Sequence, residues 1–265
     1  MCDAVFSRSG DTFLPNPIAA SPWGPGILHG GPPSGLLARA IELSKPSPDL
    51  FVSRITIDLF RPVPASALSV ETRVVRAGRR IHVVEACLIS EGIEVARASA
   101  LMLLPSEVTL PEGERWQPDS MPAPGPLPVT GLGMSRDPGH TGRPGFHTTV
   151  EVRRAVGGPG SGRHGSWIRI PVPLVEGEEL TPFVRVASTA DFGNALGNLQ
   201  ALNNTGFINA DVSLHLHRLP VGEWICLDSR SLHESHGLGV IESRVHDEQG
   251  PVGVIVQALL ANRRT

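Results

Sequence analysis

The chain contains the same pattern twice. Residues 29–104 align on residues 186–261 without a gap, at an offset of 157 positions, with nine of the 76 positions identical. In both segments a proline-bearing bend ("FRPVP" and "HRLPVG") precedes three apolar-rich runs, which are separated by the turn sequences "RAGRR" and "HESHG", then "SEG" and "DEQG". A pattern repeated over this length predicts two similar structural units in one chain.

A proline-rich segment separates the two copies. Nine prolines lie between Pro105 and Gly145, seven residues of which read "PAPGPLP". Such a segment cannot form a regular helix or a central strand, because proline lacks the backbone donor that both require. We therefore predict an N-terminal unit at 1–104, a linker at 105–145 and a C-terminal unit at 146–265.

Each unit is predicted to contain one helix followed by several strands. The run "GLLARAIEL" at 35–43 has apolar residues at helical spacing and is closed by Pro46 and Pro48, and its counterpart covers 191–202. Runs rich in Val, Ile, Leu and Thr predict strands at 54–60, 68–75, 81–89, 95–103, 212–217, 224–231, 238–245 and 252–260. Further candidates lie at 148–154 and 167–172, around the loop "GGPGSGRHG". One long helix against a curled antiparallel sheet, made twice, is an α+β arrangement.

Composition excludes several classes of protein. Apolar residues are 40% and charged residues 18% of the chain, as in globular proteins, and a net charge of −3 argues against a nucleic-acid or anionic-membrane partner. The three cysteines (Cys2, Cys87 and Cys226) are far apart and lack the spacing of a disulfide framework or zinc site. The N-terminal residues lack the pattern of a signal peptide and no run spans a membrane, so we expect a cytoplasmic protein.

The order of several motifs resembles that of a known family. "PWGPGILHGG" precedes the first helix, "STADFGN" contains Asp191, "FINADVSLHLHR" contains Asn209, and "VIVQALLANRR" contains Gln257. Together with the repeat, these motifs resemble the acyl-CoA thioesterase II family, which has a double hotdog fold. The resemblance implies two helix-wrapped-by-sheet units, hydrolysis of acyl-CoA or a related acyl thioester without a cofactor, and further association into a homo-oligomer.

The resemblance also implies the catalytic residues. The family uses an Asp, a Thr and a Gln from its second unit; the Asp matches Asp191 and the Gln matches Gln257, whereas Asn209 stands where the Thr is expected. Asn lacks the hydroxyl, but its amide can still hold a water molecule. At the offset of 157, the equivalents in the first copy are Ser34, Val52 and Ala100. Polar groups are thus gathered in the second copy, which indicates one site on that side.

Each of the three residues also has an ordinary structural interpretation. Asp191 lies near a predicted helix start and could be a capping residue, as could Ser34. Asn209 could simply be a strand-entry or turn residue. Gln257 interrupts the apolar strand "VGVIVQALL", where an unpaired buried amide costs about 1–3 kcal/mol, so a partner is expected. A water molecule shared with Asp191 is one such partner.

These residues suggest a chemical mechanism. A carboxylate can take a proton from water or orient it, while two amides fix that water against the thioester carbon. The backbone N–H groups of His29, Gly30 and Gly31, which precede the first helix, are candidates for holding the developing oxyanion. We predict that these three residues and Phe192 contact the substrate, and that His29 is a positioning or structural residue rather than a base.

Other functions and sites have weaker support. A non-hydrolytic acyl-thioester binding protein is one alternative, because Asn209 departs from the family pattern. An enoyl-thioester hydratase ranks lower, since such enzymes carry a His about five residues after the Asp and this chain has Leu196 there. His215 and His217 lack a third metal ligand, and no metal is expected. Three arginines of one hairpin, Arg76, Arg79 and Arg80, could meet CoA phosphates, although such tips are usually only solvated.

Overall fold

The strands and helices follow one another in the order that the repeat predicts. The structure, a computed structural model, describes residues 4–111, 113, 120–130, 144–158, 162–197 and 205–263. The strands found there are β1 (Phe6–Ser9), β2 (Thr12–Pro15), β3 (Phe51–Asp58), β4 (Leu68–Arg76), β5 (Ile81–Ser90), β6 (Ile93–Leu103), β7 (Glu151–Gly157), β8 (Arg163–Arg169), β9 (Thr205–Asn209), β10 (Asp211–Leu216), β11 (Trp224–His233), β12 (Leu238–Asp247) and β13 (Gly250–Arg263). The helices are α1 (Gly31–Leu43), α2 (Phe146–Thr149), α3 (Pro182–Ala190) and α4 (Phe192–Gly197).

All these strands form one antiparallel sheet, and the two units meet at its centre. The order is β1-β2-β4-β5-β6-β3 in the first unit and β10-β13-β12-β11-β8-β7 in the second, with β9 also paired to β13. Where β3 pairs with β10, Thr56 lies opposite Ser213, and the two hydroxyls are hydrogen-bonded at 3.1 Å. These residues are separated by the repeat offset of 157. A pseudo-twofold axis that relates the two units therefore passes through this pair.

The strands agree closely with the sequence pattern. Strands β5 and β12 begin and end 157 residues apart, which is the repeat offset. Every strand predicted in the ranges 54–103 and 212–260 overlaps an observed strand. Three differences occur at the edges. The hairpin of β1 and β2 and the strand β9 were not predicted, and β7 begins after the short helix α2 rather than at residue 148.

The helices begin earlier than predicted. Helix α1 starts at Gly31 rather than at residue 35, because the two prolines of its first turn need no intrahelical donor there. The second predicted helix, 191–202, is wrong at its start. Helix α3 begins at Pro182, where the Thr181 side chain accepts a hydrogen bond from the N–H of Val184 at 3.3 Å. Residues 198–202 lie outside the described residues.

A break between α3 and α4 places Asp191. The hydroxyl of Thr189 donates to the carbonyl of Arg185 at 2.8 Å, a bond that bends helices, and Gly193 follows shortly after. Asp191 lies between the two helices: it follows the last turn of α3 and directly precedes Phe192, the first residue of α4, so the expected position near a helix start is confirmed. Its carboxylate faces His29 of the first unit and Asn209 of the second.

Close packing of α1 against α3 brings the two units together. We call the sheet face covered by these helices the inner face. A Cβ atom on Gly35 would collide with Ser188 Oγ, and one on Gly31 would lie 2.6 Å from the Ser188 carbonyl oxygen. The glycines therefore allow an approach that any side chain would prevent. Buried aliphatic residues of both units fill the remaining space: Leu36, Leu37, Ile41, Ile55, Ile57, Val184, Val186, Val212 and Leu214.

Residues 120–130 of the proline-rich segment cross the opposite, outer face of the second unit. Trp167 Nε1 donates to the Pro122 carbonyl at 2.7 Å, and Arg153 Nη1 donates to the carbonyls of Pro124 and Gly125. Residues 120–130 are thus anchored to β7 and β8 by their backbone carbonyls. Among the described residues, none of the helices is long and apolar enough to cross a membrane.

Candidate active site

A carboxylate of the second unit and an imidazole of the first unit meet at the helix break. Asp191 Oδ2 lies 2.9 Å from Nδ1 of His29, with 10% and 5% of these side chains exposed. Because a carboxylate can only accept, the proton between them belongs to Nδ1. The Gly31 nitrogen lies 3.1 Å from the same Nδ1 atom. Because Nδ1 carries a proton and cannot accept, the Gly31 N–H donates to the Asp191 carboxylate instead. Neither unit alone contains this pair.

Asn209 completes the cluster from the last position of β9. Its Nδ2 donates to Asp191 Oδ1 at 2.7 Å and lies 3.1 Å from the Asp191 carbonyl oxygen. The amide oxygen Oδ1 is buried and has no hydrogen-bond partner in the described part of the chain. Asn209 ends β9, with one residue between it and the start of β10, and its side chain points at the carboxylate. It thus leaves an acceptor free beside Asp191.

The pKa of Asp191 is held below its ordinary value. Burial alone would raise this pKa, but the electrostatic interaction with His29 and the hydrogen bonds from His29, Asn209 and Gly31 outweigh it. The N-terminus of α1 points at the same carboxylate, and the partial positive charge of a helix start favours an anion there. Asp191 is therefore a carboxylate over the whole neutral range.

The backbone before α1 is shaped around this carboxylate. A Cβ atom on Gly30 would lie 2.7 Å from Asp191 Oδ1 and 2.8 Å from Oδ2, closer than such atoms can approach. The expectation that three N–H groups here hold an oxyanion needs correction. The His29 N–H donates to the Ala19 carbonyl at 3.1 Å, and the Gly31 N–H is used as described above. Gly30 is the member of the trio whose N–H remains a candidate.

Two phenyl rings enclose the imidazole. The ring centres of His29 and Phe192 are 4.7 Å apart, those of His29 and Phe146 are 5.5 Å apart, and the two phenyl rings stack at 5.6 Å. Both phenylalanines are fully buried. Phe192 thus packs against His29, and its contact with the substrate remains a prediction. Phe146, which belongs to α2, gave no signal in the sequence. Apolar walls of this kind strengthen the electrostatic interaction between His29 and Asp191.

Gln257 lies near the cluster but does not bond to it. In β13 it is opposite Ile241, while Asn209 is opposite Leu259, two residues further along the same strand. The side chains of Gln257 and Asn209 therefore share the inner face as diagonal neighbours, with Cα atoms roughly 7–8 Å apart. Gln257 is fully buried, and neither carboxamide atom has a hydrogen-bond partner among the described residues.

Gly193 covers the carboxamide of Gln257. A Cβ atom on this glycine would collide with Gln257 Oε1 and would lie 3.0 Å from Ser243 Oγ. Ser243 is also fully buried and forms a 2.7 Å hydrogen bond with Ser229. Sequence reasoning overlooked Ser243, although the repeat offers a signal: its equivalent in the first copy is Ala86. Polar groups thus continue beneath α4 from the candidate site.

The remaining candidates lie apart from the cluster. His215 and His217 are exposed on the outer face, and no group of three His, Cys, Asp or Glu side chains suited to a metal ion occurs in the described ranges. Arg76 ends strand β4, and Arg79 and Arg80 are exposed in the turn before β5. Their contact with a CoA phosphate remains a prediction.

Two family models match this chain. The acyl-CoA thioesterase C-terminal domain matches residues 117–261, and the acyl-CoA thioesterase N-terminal domain matches residues 19–103. The first of these alone covers more than half of the chain. The chain belongs to the acyl-CoA thioesterase family. It is therefore a thioester hydrolase, and the family predicted from the motifs is confirmed.

Solved structures confirm the fold. A hot dog fold protein from Alicyclobacillus acidocaldarius superimposes with a TM-score of 0.73 at 16% identity, covering 99% of this chain and 98% of that one. Acyl-CoA thioesterase II TesB2 from Mycobacterium marinum gives 0.68 at 14% identity, covering 97% and 96%. The tesB protein of Mycobacterium avium subs paratuberculosis gives 0.65 at 16% identity, covering 97% and 96%. The predicted α+β double hotdog fold is correct, whereas comparison with curated proteins gives no match.

Proposed function

We propose that the enzyme hydrolyses acyl-CoA thioesters by means of a water molecule activated by Asp191 and His29. The observation that carries this proposal is the nearly buried contact between the two side chains, one from each unit, with Asn209 holding the second carboxylate oxygen. Family membership supplies the reaction class, and the similarity to TesB-type enzymes supports acyl-CoA as the substrate. The individual residue roles are the proposed part.

The contacts suggest a division of labour within the cluster. Asp191 accepts the Nδ1 proton of His29, which fixes the neutral tautomer and leaves Nε2 as the acceptor for a proton from water. The water oxygen then bonds to the thioester carbon, the carbon–sulfur bond breaks, and the thiolate takes the proton back from His29. Because a thiol has a pKa of about 8.5, its thiolate leaves without a strong general acid.

The two amides then serve to place the water. Asn209 is anchored to Asp191 through Nδ2, so its unpartnered Oδ1 can accept one water proton. Gln257, on the same face of the sheet, is proposed to donate from its Nε2 to the water or to the thioester oxygen. This arrangement lets Asn209 take the position at which the family is expected to carry Thr, since only an acceptor is needed there.

The replacement Asp191→Asn tests the proposal. It keeps the shape of the side chain but removes the charge that fixes the His29 tautomer. His29 then no longer presents Nε2 as the base, and loss of general-base catalysis typically costs about 10²–10⁴ in rate. We expect kcat to fall by this factor, measured as thiol release from a series of acyl-CoAs of increasing chain length. Asp58→Asn, which alters an exposed carboxylate of β3, is the matched control. Full thiol release by Asp191→Asn would contradict the proposal.

The contact between His29 and Asp191 also favours a second candidate reaction, the hydration of an enoyl thioester. The sequence argued against it because no His follows Asp191 at the required spacing, yet the structure brings His29 from the other unit into contact. An acid–base pair could deliver a water oxygen to the β-carbon and a proton to the α-carbon. Loss of crotonyl-CoA absorbance without thiol release would identify this reaction. Thiol release from the same substrate identifies hydrolysis.

A further inference from the structure

The second unit carries a buried polar pair next to Gln257. Ser229 on β11 and Ser243 on β12 are directly opposite each other, both are fully buried, and their hydroxyl oxygens are 2.7 Å apart. They lie on the inner face, beneath α4. Fully buried hydroxyl groups inside an apolar core require a reason, because each must find a hydrogen-bond partner there.

Ser243 and Gln257 face the same small volume under Gly193. A Cβ atom on Gly193 would lie 3.0 Å from Ser243 Oγ and would overlap Gln257 Oε1. The strand register agrees: Gln257 is opposite Ile241, so Ser243 is its diagonal neighbour on β12. Both atoms of the Gln257 carboxamide are without a partner in the described chain. The hydroxyl of Ser243 is therefore positioned to supply the missing donor after a small side-chain rotation.

The first unit provides an internal control for this polar pair. At the repeat offset, Ala86 is the equivalent of Ser243 and Ala100 is the equivalent of Gln257. Both alanines are fully buried, on β5 and β6, which correspond to β12 and β13. The fold thus accepts a small apolar side chain at each place. The hydroxyl and the carboxamide occur together in the unit that carries Asp191.

We propose that Ser243 is a positioning residue for Gln257. The Ser229 hydroxyl donates to Ser243 Oγ, and the Ser243 hydroxyl donates to Gln257 Oε1. Because an amide accepts through oxygen and donates through nitrogen, fixing Oε1 on the serine side turns Nε2 toward the water and the thioester. No proton is transferred by this pair. The inference rests on the proposed catalytic role of Gln257.

The test compares kcat and KM of four variants with the unmodified enzyme by thiol release from one acyl-CoA. These are Ser243→Ala, Gln257→Ala, the double variant and Ser166→Ala. The last is the matched control, because Ser166 is also a buried inner-face serine whose hydroxyl has no partner among the described residues, but it lies on β8. Ala86 shows that Ser243→Ala suits the fold, and thermal melting checks this.

We expect Ser243→Ala to lower kcat by about fivefold or more with KM little changed, while Ser166→Ala leaves both unchanged. In the Gln257→Ala background, Ser243→Ala should change kcat by less than about twofold, since two residues acting as one unit are not additive. The inference alone would be overturned if Ser243→Ala had the kcat of the unmodified enzyme. It would also be overturned if Ser243→Ala lowered kcat by the same factor in the unmodified enzyme and in Gln257→Ala. Full activity of Gln257→Ala would overturn the proposed role of Gln257 and the inference with it.

Discussion

A single methyl group on Gly30 should disable the enzyme without unfolding it. Gly30 has φ −65° and ψ −25°, a helical conformation that alanine adopts without strain. The substitution Gly30→Ala should even stabilise the backbone, by about 0.4–1 kcal/mol, since alanine loses less conformational freedom on folding. Any harm must therefore come from what the new methyl group touches.

The methyl group would meet the Asp191 carboxylate. The added carbon would lie 2.7 Å from Oδ1, 2.8 Å from Cγ and 2.8 Å from Oδ2. Ordinary contacts of this kind are about 3.5 Å or longer, so the carboxylate has to move by several tenths of an ångström. That movement breaks the alignment of the bonds to His29 and Asn209. Because a misplacement of about 1 Å can cost 10²-fold in rate, we expect kcat to fall ten- to a hundredfold.

Thiol release and thermal melting together measure this effect. Gly125→Ala is the control, because a Cβ atom there would have nothing within 4 Å. We expect both variants to melt close to the unmodified enzyme and only Gly30→Ala to lose activity. If Gly30→Ala retained full activity at an unchanged melting temperature, the carboxylate of Asp191 would not need the position seen in the structure.

Two further predictions concern the ionisation of carboxylates. Asn209→Val introduces the residue found at the equivalent position of the first copy and removes a hydrogen-bond donor to Asp191. We expect the pKa of Asp191, followed by carboxyl NMR, to rise. An unchanged or lower pKa would contradict the assigned hydrogen bond. Burial alone would raise the pKa of Asp247, but hydrogen bonds from Arg218 and from the N–H groups of Val221 and Gln249 lower it. The stability that this carboxylate adds is complete above the unfolded pKa of about 3.9 and is lost as pH falls through the lower folded value. The urea midpoint of Asp247→Asn should therefore fall less on acidification than that of the unmodified enzyme, and equal losses would contradict this reasoning.

The strands were predictable because their signal is local. Runs rich in Val, Ile, Leu and Thr between turn sequences mark β3 to β6 in the first copy and β10 to β13 in the second, and the repeat fixes their correspondence. The error at the second helix has a physical reason: the glycines at 193 and 197 interrupt the helical pattern just where the prediction began. Thr181 followed by Pro182 is an N-terminal helix signal, and giving it more weight would have placed α3.

The assembly of the candidate site could be predicted only in part. Asp191, Asn209 and Gln257 follow from their motifs, and their equivalents in the first copy are less polar. The contact between His29 and Asp191 depends on how α1 packs against α3, which no local pattern specifies. Phe146 reaches the site from a short helix after the proline-rich segment, again through tertiary packing. Ser243 could have been found by comparing the two copies position by position.

The two units divide the work of the site unequally. The first unit contributes His29 and the start of α1, and its inner face is apolar at the positions equivalent to Ser243 and Gln257. The second unit contributes the carboxylate and the amides. The pseudo-twofold axis of the sheet relates Ser243 to Ala86 and Gln257 to Ala100, and in each of these pairs only the residue of the second unit is polar. A chain with both units intact is therefore needed for the candidate site to exist.

A single turnover in heavy-oxygen water tests most directly whether Asp191 and His29 activate water. With enzyme in excess over acyl-CoA, direct attack by water puts the heavy oxygen into the released acid in the first turnover and leaves Asp191 unlabelled. We predict this result, read by mass spectrometry of the acid and of the peptide that contains Asp191. An unlabelled first product together with a labelled Asp191 would show that the carboxylate itself attacks the thioester and would contradict the account.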